Sequence, residues 1–271
     1  MYEFEYHKPA SLDAAVGLAA REDFKLLAGG MSLIPALKMR LARYAGLVDL
    51  GAIDALRGVR REGDALVVGA TTPHVAVAES AEVARVLPAL AALASGIGDP
   101  LVRNRGTIGG SIANADPAAD YPSVVLGLGA TVVTNRREIA ADHFFLGLFE
   151  TALEPGEIIR AVRFPLPEAA CYLKLPQQAS RFALVGVFVA KSKGGVRVAV
   201  TGAGPSVFRF SDAERALAAR FDPSAVDSVT LAPDGLNADI HASAEYRANA
   251  VKVMTKRAVK AALSGQGGGV L

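Results

Sequence analysis

Two glycine-rich segments hold the residues best suited to chemistry. The first reads Leu26-Leu27-Ala28-Gly29-Gly30-Met31-Ser32. The second reads Asn104-Arg105-Gly106-Thr107-Ile108-Gly109-Gly110-Ser111-Ile112-Ala113-Asn114-Ala115-Asp116. A diphosphate needs backbone N–H groups at close range from several directions, and a Cβ in the loop would block that approach. Gly-Gly followed by Ser supplies bare amides beside a hydroxyl donor. If Ser32 also caps a following helix, the helix adds a favourable dipole. Either segment alone reads most simply as a turn. Together, each joining strand-like residues to a polar cap, they can grip a diphosphate from opposite sides.

Neither is a Rossmann fingerprint. The nearest match, Gly202-Ala203-Gly204-Pro205-Ser206-Val207, lacks the third glycine, carries a proline and reads as a turn. There is no P-loop lysine.

The elements that must position these loops follow from periodicity. Residues 11–21 read as a helix with Ser11 as N-cap, and 24–27 as a short strand running into Ala28-Gly29-Gly30. Residues 33–41 look helical and 46–50 strand-like, which makes a small β-α-β unit. Beyond Leu56, a strand is expected at 66–70, a helix starting at Thr71-Thr72-Pro73, and an alanine-rich helix at 88–95. Further strands are expected at 106–112, 130–134 and 158–164. Phe164-Pro165-Leu166-Pro167 marks a boundary, because prolines stop both helix and ladder. After it, 172–174, 184–190 and 196–202 read as strands, with a hairpin turn at Lys193-Gly194-Gly195. Helices are expected at 212–220 and 244–263, and a disordered tail at 265–271. The fold class is α+β.

Composition narrows the functions. The chain has 271 residues and a formal charge of +2, too near zero to argue for nucleic acid or an anionic membrane surface. One cysteine, Cys171, allows neither an internal disulfide nor an iron–sulfur cluster. It reads as a buried small hydrophobe. His7, His74, His143 and His241 are scattered without metal-binding spacing, so no metal site is expected. The N-terminal residues lack an apolar run of signal-peptide length, and the longest apolar stretch, 124–133, is too short to span a bilayer. A cytoplasmic protein is expected, with any membrane association coming through partners.

At the two loops a family resemblance enters. AGGMSLIPALKMR and VRNRGTIGGSIANADPAADYP resemble the pyrophosphate loops of the FAD-binding medium subunits of molybdenum hydroxylases, the carbon monoxide dehydrogenase and xanthine dehydrogenase group. FFLGLFETALEPGEII, YLKLPQQASRFALVGV, VAVTGAGPSVFR and EYRANAVKVMTKRAVKAAL match the same family, so the similarity spans nearly the whole chain. It implies the two-subdomain FAD-binding fold shared with vanillyl-alcohol oxidase and the cell-wall reductase UDP-N-acetylenolpyruvoylglucosamine reductase. That domain would occupy 1–167, with subdomains of about 1–55 and 56–167. A C-terminal domain of antiparallel strands and helices would occupy 168–264.

The resemblance also implies site residues. Ala28, Gly29, Gly30, Met31 and Ser32, flanked by Leu27 and Leu33, would bring first-loop amides to the diphosphate. Thr107, Gly109, Gly110 and Ser111 would form the second loop. Ile97 would lie near the adenine, Asp120 would hydrogen-bond the ribose, and Asn114 and Asp116 would line the flavin side. Ile159 and Lys174 occupy positions of adenine and flavin contact, and Phe182 the slot of an aromatic ring near the isoalloxazine. Plainer readings stand beside these. Asp116 and Asp120 could be turn formers, Phe182 core, and Lys174 an edge residue with its head in water. Arg103 and Arg105 could contact phosphate or a partner, or hold their loop. Ser111 departs from the Asp or Asn of many relatives.

The implied complex has a large molybdenum-cofactor subunit and a small subunit with two [2Fe–2S] clusters, assembled as a dimer of heterotrimers. This chain would pass electrons from those clusters, through FAD, to an external acceptor. The alternatives are a self-sufficient FAD oxidoreductase and a chain whose FAD is structural or lost.

Overall fold

The computed structural model describes residues 1–270. Its first layer is a parallel sheet in which β1 (Glu5–His7), β2 (Phe24–Leu27) and β3 (Gly46–Asp49) lie in the order β1-β3-β2. Helix α1 (Leu12–Ala19) joins the first two strands, and Ser11 caps it by accepting from the Ala14 amide. Helix α2 (Leu33–Lys38) joins β2 to β3 and ends before the expected Leu41. Gly46 is where the aromatic ring of Phe24 crosses β3, since a Cβ there would lie 2.5 Å from it.

The second layer opens with β4 (Val59–Glu62) and β5 (Ala65–Gly69). Six short helices follow: α3 (His74–Ala78), α4 (Ala81–Val86), α5 (Pro88–Ser95), α6 (Pro100–Arg105), α7 (Ile108–Asn114) and α8 (Tyr121–Gly127). Then come β6 (Thr131–Thr134), β7 (Glu138–Ala140), the β8 (Phe145–Gly147)–β9 (Glu150–Thr151) hairpin and β10 (Ile159–Pro165). The antiparallel sheet runs β4-β5-β10-β6-β7. Residues 106–112 are thus not the expected strand. Thr107 caps α7, and Ile108 and Ile112 bury one helical face. Gly109 sits against β5's end, where a Cβ would meet the Ala70 carbonyl oxygen at 2.7 Å.

The third layer is β11 (Ala169–Pro176), β12 (Ala183–Ser192), β13 (Gly195–Thr201) and β14 (Phe208–Arg209), backed by α9 (Ser211–Ala219) and α10 (Ala244–Leu263). Both faces of this sheet are covered, which is why Leu184–Ala190 is nearly continuous in apolar residues. Tyr172, Phe188 and Ala190 face the core under the second layer, while Cys171, Leu173, Val187 and Val189 face the core under α9 and α10. The sheet order is β14-β13-β12-β11-β15, where β15 is Gly268–Val270 and pairs parallel with β11. The tail expected to be disordered therefore supplies an edge strand; Leu271 lies outside the described residues. Glycine made it read as disorder, yet glycine is what lets it dock.

Candidate functional site

The first loop leaves β2 at Leu27 and packs backbone to backbone on the second. A Cβ on Gly29 would lie 1.9 Å from the Arg105 carbonyl oxygen and 2.8 Å from Gly106 Cα. Gly30 turns the chain with φ +77, a conformation glycine adopts without strain. Its carbonyl accepts from Ile34, 3.0 Å away. Among the described residues, the five consecutive amides of Gly29, Gly30, Met31, Ser32 and Leu33 meet no acceptor. Ser32 makes no side-chain cap bond, against the expected capping role, so its hydroxyl stays available along with them. Leu27 and Ile34 close the space behind Gly30.

The second loop is different. Gly109 donates to Ala70 O at 2.9 Å, Ile108 to Thr72 O at 3.3 Å, and Ser111 to Thr107 O at 2.9 Å. Gly110 donates to the Thr107 hydroxyl at 3.2 Å. Its amides from 108 to 111 are already engaged, so this side offers the Thr107 and Ser111 hydroxyls rather than bare N–H groups. The loops nevertheless face each other. A Cβ on Gly110 would meet only Thr107 Oγ1, at 3.0 Å, and Ala28 Cβ, at 3.8 Å. Gly110 thus keeps side-chain bulk out of the approach between Thr107 and Ala28, and the unengaged amides of the first loop are the kind of donor set a diphosphate takes.

Helix α7 ends at Ala115, held in the left-handed region at φ 46. Asn114 is half-buried just before it. Asp116 accepts from the Ala118 amide at 2.9 Å, as a turn former does. It also lines a cavity of about 350 Å³ with Gln177, Phe182 and Arg247. Phe182 is 47% exposed, so it is not core.

Asp120 and Lys174 meet in the interior, between α8 and β11. Lys174 is fully buried, contrary to the edge position with a solvated head. Its strand is flanked by β12 and β15, and its ammonium has partners. Nζ lies 3.0 Å from Asp120 Oδ1 and donates to Gly96 O at 2.7 Å. The Tyr172 hydroxyl donates to Asp120 at 2.5 Å. Burial pushes the Asp120 carboxyl up, against the pull of Lys174 and Tyr172. With only 4% of its surface exposed, Asp120 has its carboxylate taken up by Lys174 and Tyr172.

Ile97 is half-buried beside Gly96. Arg103 holds that turn by donating to Ile97 O and Gly98 O at 3.0 and 3.1 Å, which favours its loop-holding reading. Arg105 is exposed, and its carbonyl abuts Gly29. Ile159 is buried in the main core at the start of β10.

Two groups were not singled out from the sequence. His74 donates its backbone N–H to Gly106 O at 2.9 Å, and its ring fills the space beside Gly106. Burial, reinforced by Arg103, lowers its pKa to about 4. Among the described residues, His74 Nδ1 and the Tyr121 hydroxyl are buried without hydrogen-bond partners, their rings 5.2 Å apart. Tyr172 was also missed as a partner of Asp120, although its i, i+2 spacing to Lys174 places the two on one face of β11.

The family described as FAD binding domain in molybdopterin dehydrogenase matches residues 2–167. The chain belongs to this family. It is 37% identical to the carbon monoxide dehydrogenase medium chain of Hydrogenophaga pseudoflava, over 96% of each chain. It is 36% identical to the nicotine 6-hydroxylase medium subunit of Paenarthrobacter nicotinovorans, over 94% of this chain and 95% of that one. The solved structure of reconstituted CO dehydrogenase from Oligotropha carboxidovorans superposes with a TM-score of 0.90 at 35% identity, covering 97% and 99% of the two chains. As a member of the molybdopterin dehydrogenase FAD-binding family, the chain is an FAD-binding oxidoreductase component, and both glycine loops lie inside the matched residues. Among the described residues no helix is long and apolar enough to cross a membrane.

Proposed function

We propose that this chain is the electron-transfer subunit of a molybdenum-containing hydroxylase, with FAD held between its two loops. A small partner carrying two [2Fe–2S] clusters supplies the electrons, and a large partner carries the molybdenum cofactor. The assembly is a dimer of heterotrimers. The observation that carries the reading is the run of five acceptorless amides at 29–33, in a loop that packs on the second glycine loop at Gly29 and comes near Gly110 through Ala28.

FAD held here would supply the redox chemistry, since a flavin can exchange one or two electrons and so could couple a one-electron donor to a two-electron acceptor. The chain's part is to bind and orient. Residues 29–33 donate N–H groups to the diphosphate, and Thr107, Ser111 and Ser32 add hydroxyls. Asn114, Asp116 and Phe182 lie further along α7 and the facing loop, on the flavin side. Ile97 marks the adenine end, with Asp120 and Lys174 behind it. One cysteine is too few to bind a cluster, which supports placing the clusters on a partner.

The test is to purify the tagged chain from its host and record the absorption spectrum and metal content of what accompanies it. Flavin, iron and molybdenum on three polypeptides are expected. Flavin on the chain alone, with turnover of a soluble substrate, would overturn the subunit reading.

A further inference from the structure

Helix α2 begins where the row of unengaged amides ends, and its far end carries a different set of residues. The chain leaves it through Arg40, which sits in the left-handed region at φ 58 while the Leu41 amide turns back to Ala36 O at 2.9 Å. A helix that ends this way usually places glycine there, because a Cβ is strained in that conformation. The apolar residue that follows frequently packs back on the last turn. Here Leu41 is 74% exposed and Met39 is 68% exposed. Neither the arginine nor the leucine is spent on closing the helix.

Lys38, Arg40 and Arg43 are all exposed at this end, and among the described residues none of them forms an ion pair. Arg21, in the same layer, does pair, with Glu5 at 3.2 Å. The guanidinium carbons of Arg40 and Arg43 each lie 5.4 Å from the centre of the Tyr2 ring. One half-exposed aromatic ring thus holds two like charges with no carboxylate to offset them. Tyr, Met and Arg are the residue types that protein–protein contacts concentrate. A chain of net charge +2 has no wider field to draw nucleic acid or anionic lipid.

We propose that the end of α2, together with Tyr2, is a docking surface for a partner subunit that presents carboxylates within an apolar surround. The inference rests on the subunit reading above. The partner's carboxylates supply the charge that Arg40 and Arg43 lack, and its apolar surround covers Met39 and Leu41. A guanidinium takes a carboxylate through two parallel N–H bonds, and stacking on Tyr2 orients both forks before the partner arrives. The docked partner lies one short helix from the amides of 29–33, about 9 Å along its axis.

The experiment co-expresses the tagged chain with its partner subunits and follows dissociation of the complex on dilution by mass photometry, at low and high salt. Arg40→Glu combined with Arg43→Glu should weaken assembly at least about tenfold and remove most of its salt dependence. Arg40→Gly should weaken assembly too, while the melting temperature of the chain alone stays level or rises, since glycine takes φ 58 without strain. An arginine kept for the fold would instead lower that melting temperature, and this result would overturn the proposal. Assembly of the double variant at the parent's affinity would do the same. A parent that brings down no partner polypeptide would sink the subunit reading itself. Self-association, or binding to anionic vesicles, that the double variant loses would give the surface another occupant and overturn this one.

Discussion

Replacing Lys174 with methionine preserves most of the stem's packing and removes the ammonium. Asp120 is then left in the interior with the Tyr172 hydroxyl alone, and Gly96 O loses its donor. Removing one member of a buried ion pair costs roughly 3–5 kcal/mol, because the remaining charge stays desolvated and unpaired. Two features put this site at the upper end of that range: Lys174 is fully buried and Asp120 is only 4% exposed. The assay is urea denaturation of Lys174→Met and the parent at pH 7, followed by circular dichroism. Asp120→Asn combined with Lys174→Met should recover much of the loss, since no buried charge remains. The pH dependence carries a definite sign. Burial already pushes the Asp120 carboxyl above its ordinary 3.8, and without Lys174 it rises further. A raised folded-state value favours the protonated form. The variant's deficit is therefore full at neutral pH and shrinks as pH falls toward the unfolded value. A deficit under about 1 kcal/mol, the size of an exposed pair, would refute the reasoning, as would one that does not change with pH.

Gly110→Val places a branched Cβ in the approach between Thr107 and Ala28, and is expected to abolish stoichiometric flavin while the circular dichroism spectrum is retained. Full flavin content in that variant would show that Gly110 does not face the diphosphate. His74 stays neutral in the fold down to about 4, against an ordinary 6.5, so the unfolded chain binds its proton first as pH drops. Stability should therefore fall between those values, by on the order of 3 kcal/mol in total, and His74→Phe should flatten that slope in pH-dependent denaturation. An unchanged slope would assign the titration to another group.

Elements with a clean period were legible in the sequence. Phe24–Leu27, Pro88–Ser95 and Ala244–Leu263 end where their apolar spacing and caps say they should. Residues 106–112 misled because three glycines and a β-branched threonine obscure a one-sided helix. Gly109 is there for its approach to Ala70, a contact made 39 positions away in the chain. Lys174 misled for a similar reason. A lysine in an apolar strand reads as an edge residue until its carboxylate is known, and Asp120 arrives from a different layer of the fold. The first loop's donors were legible because Gly-Gly-Met-Ser has no local acceptor for them. The second loop's were not, because Ala70 and Thr72 take up its amides only in the folded chain.

The first loop's chemistry belongs to peptide groups rather than to side chains. Every residue except proline brings the same N–H, so substitutions at Met31, Ser32 or Leu33 leave the donor row intact. An alanine scan would pass over Met31 and Leu33 almost silently and would register only the lost hydroxyl at Ser32. Proline would expose the role at once, by deleting a donor while adding little bulk. Such a loop can drift in sequence and keep its ligand, tied only to Gly29, where the second loop leaves no room, and to Gly30, where the chain must turn.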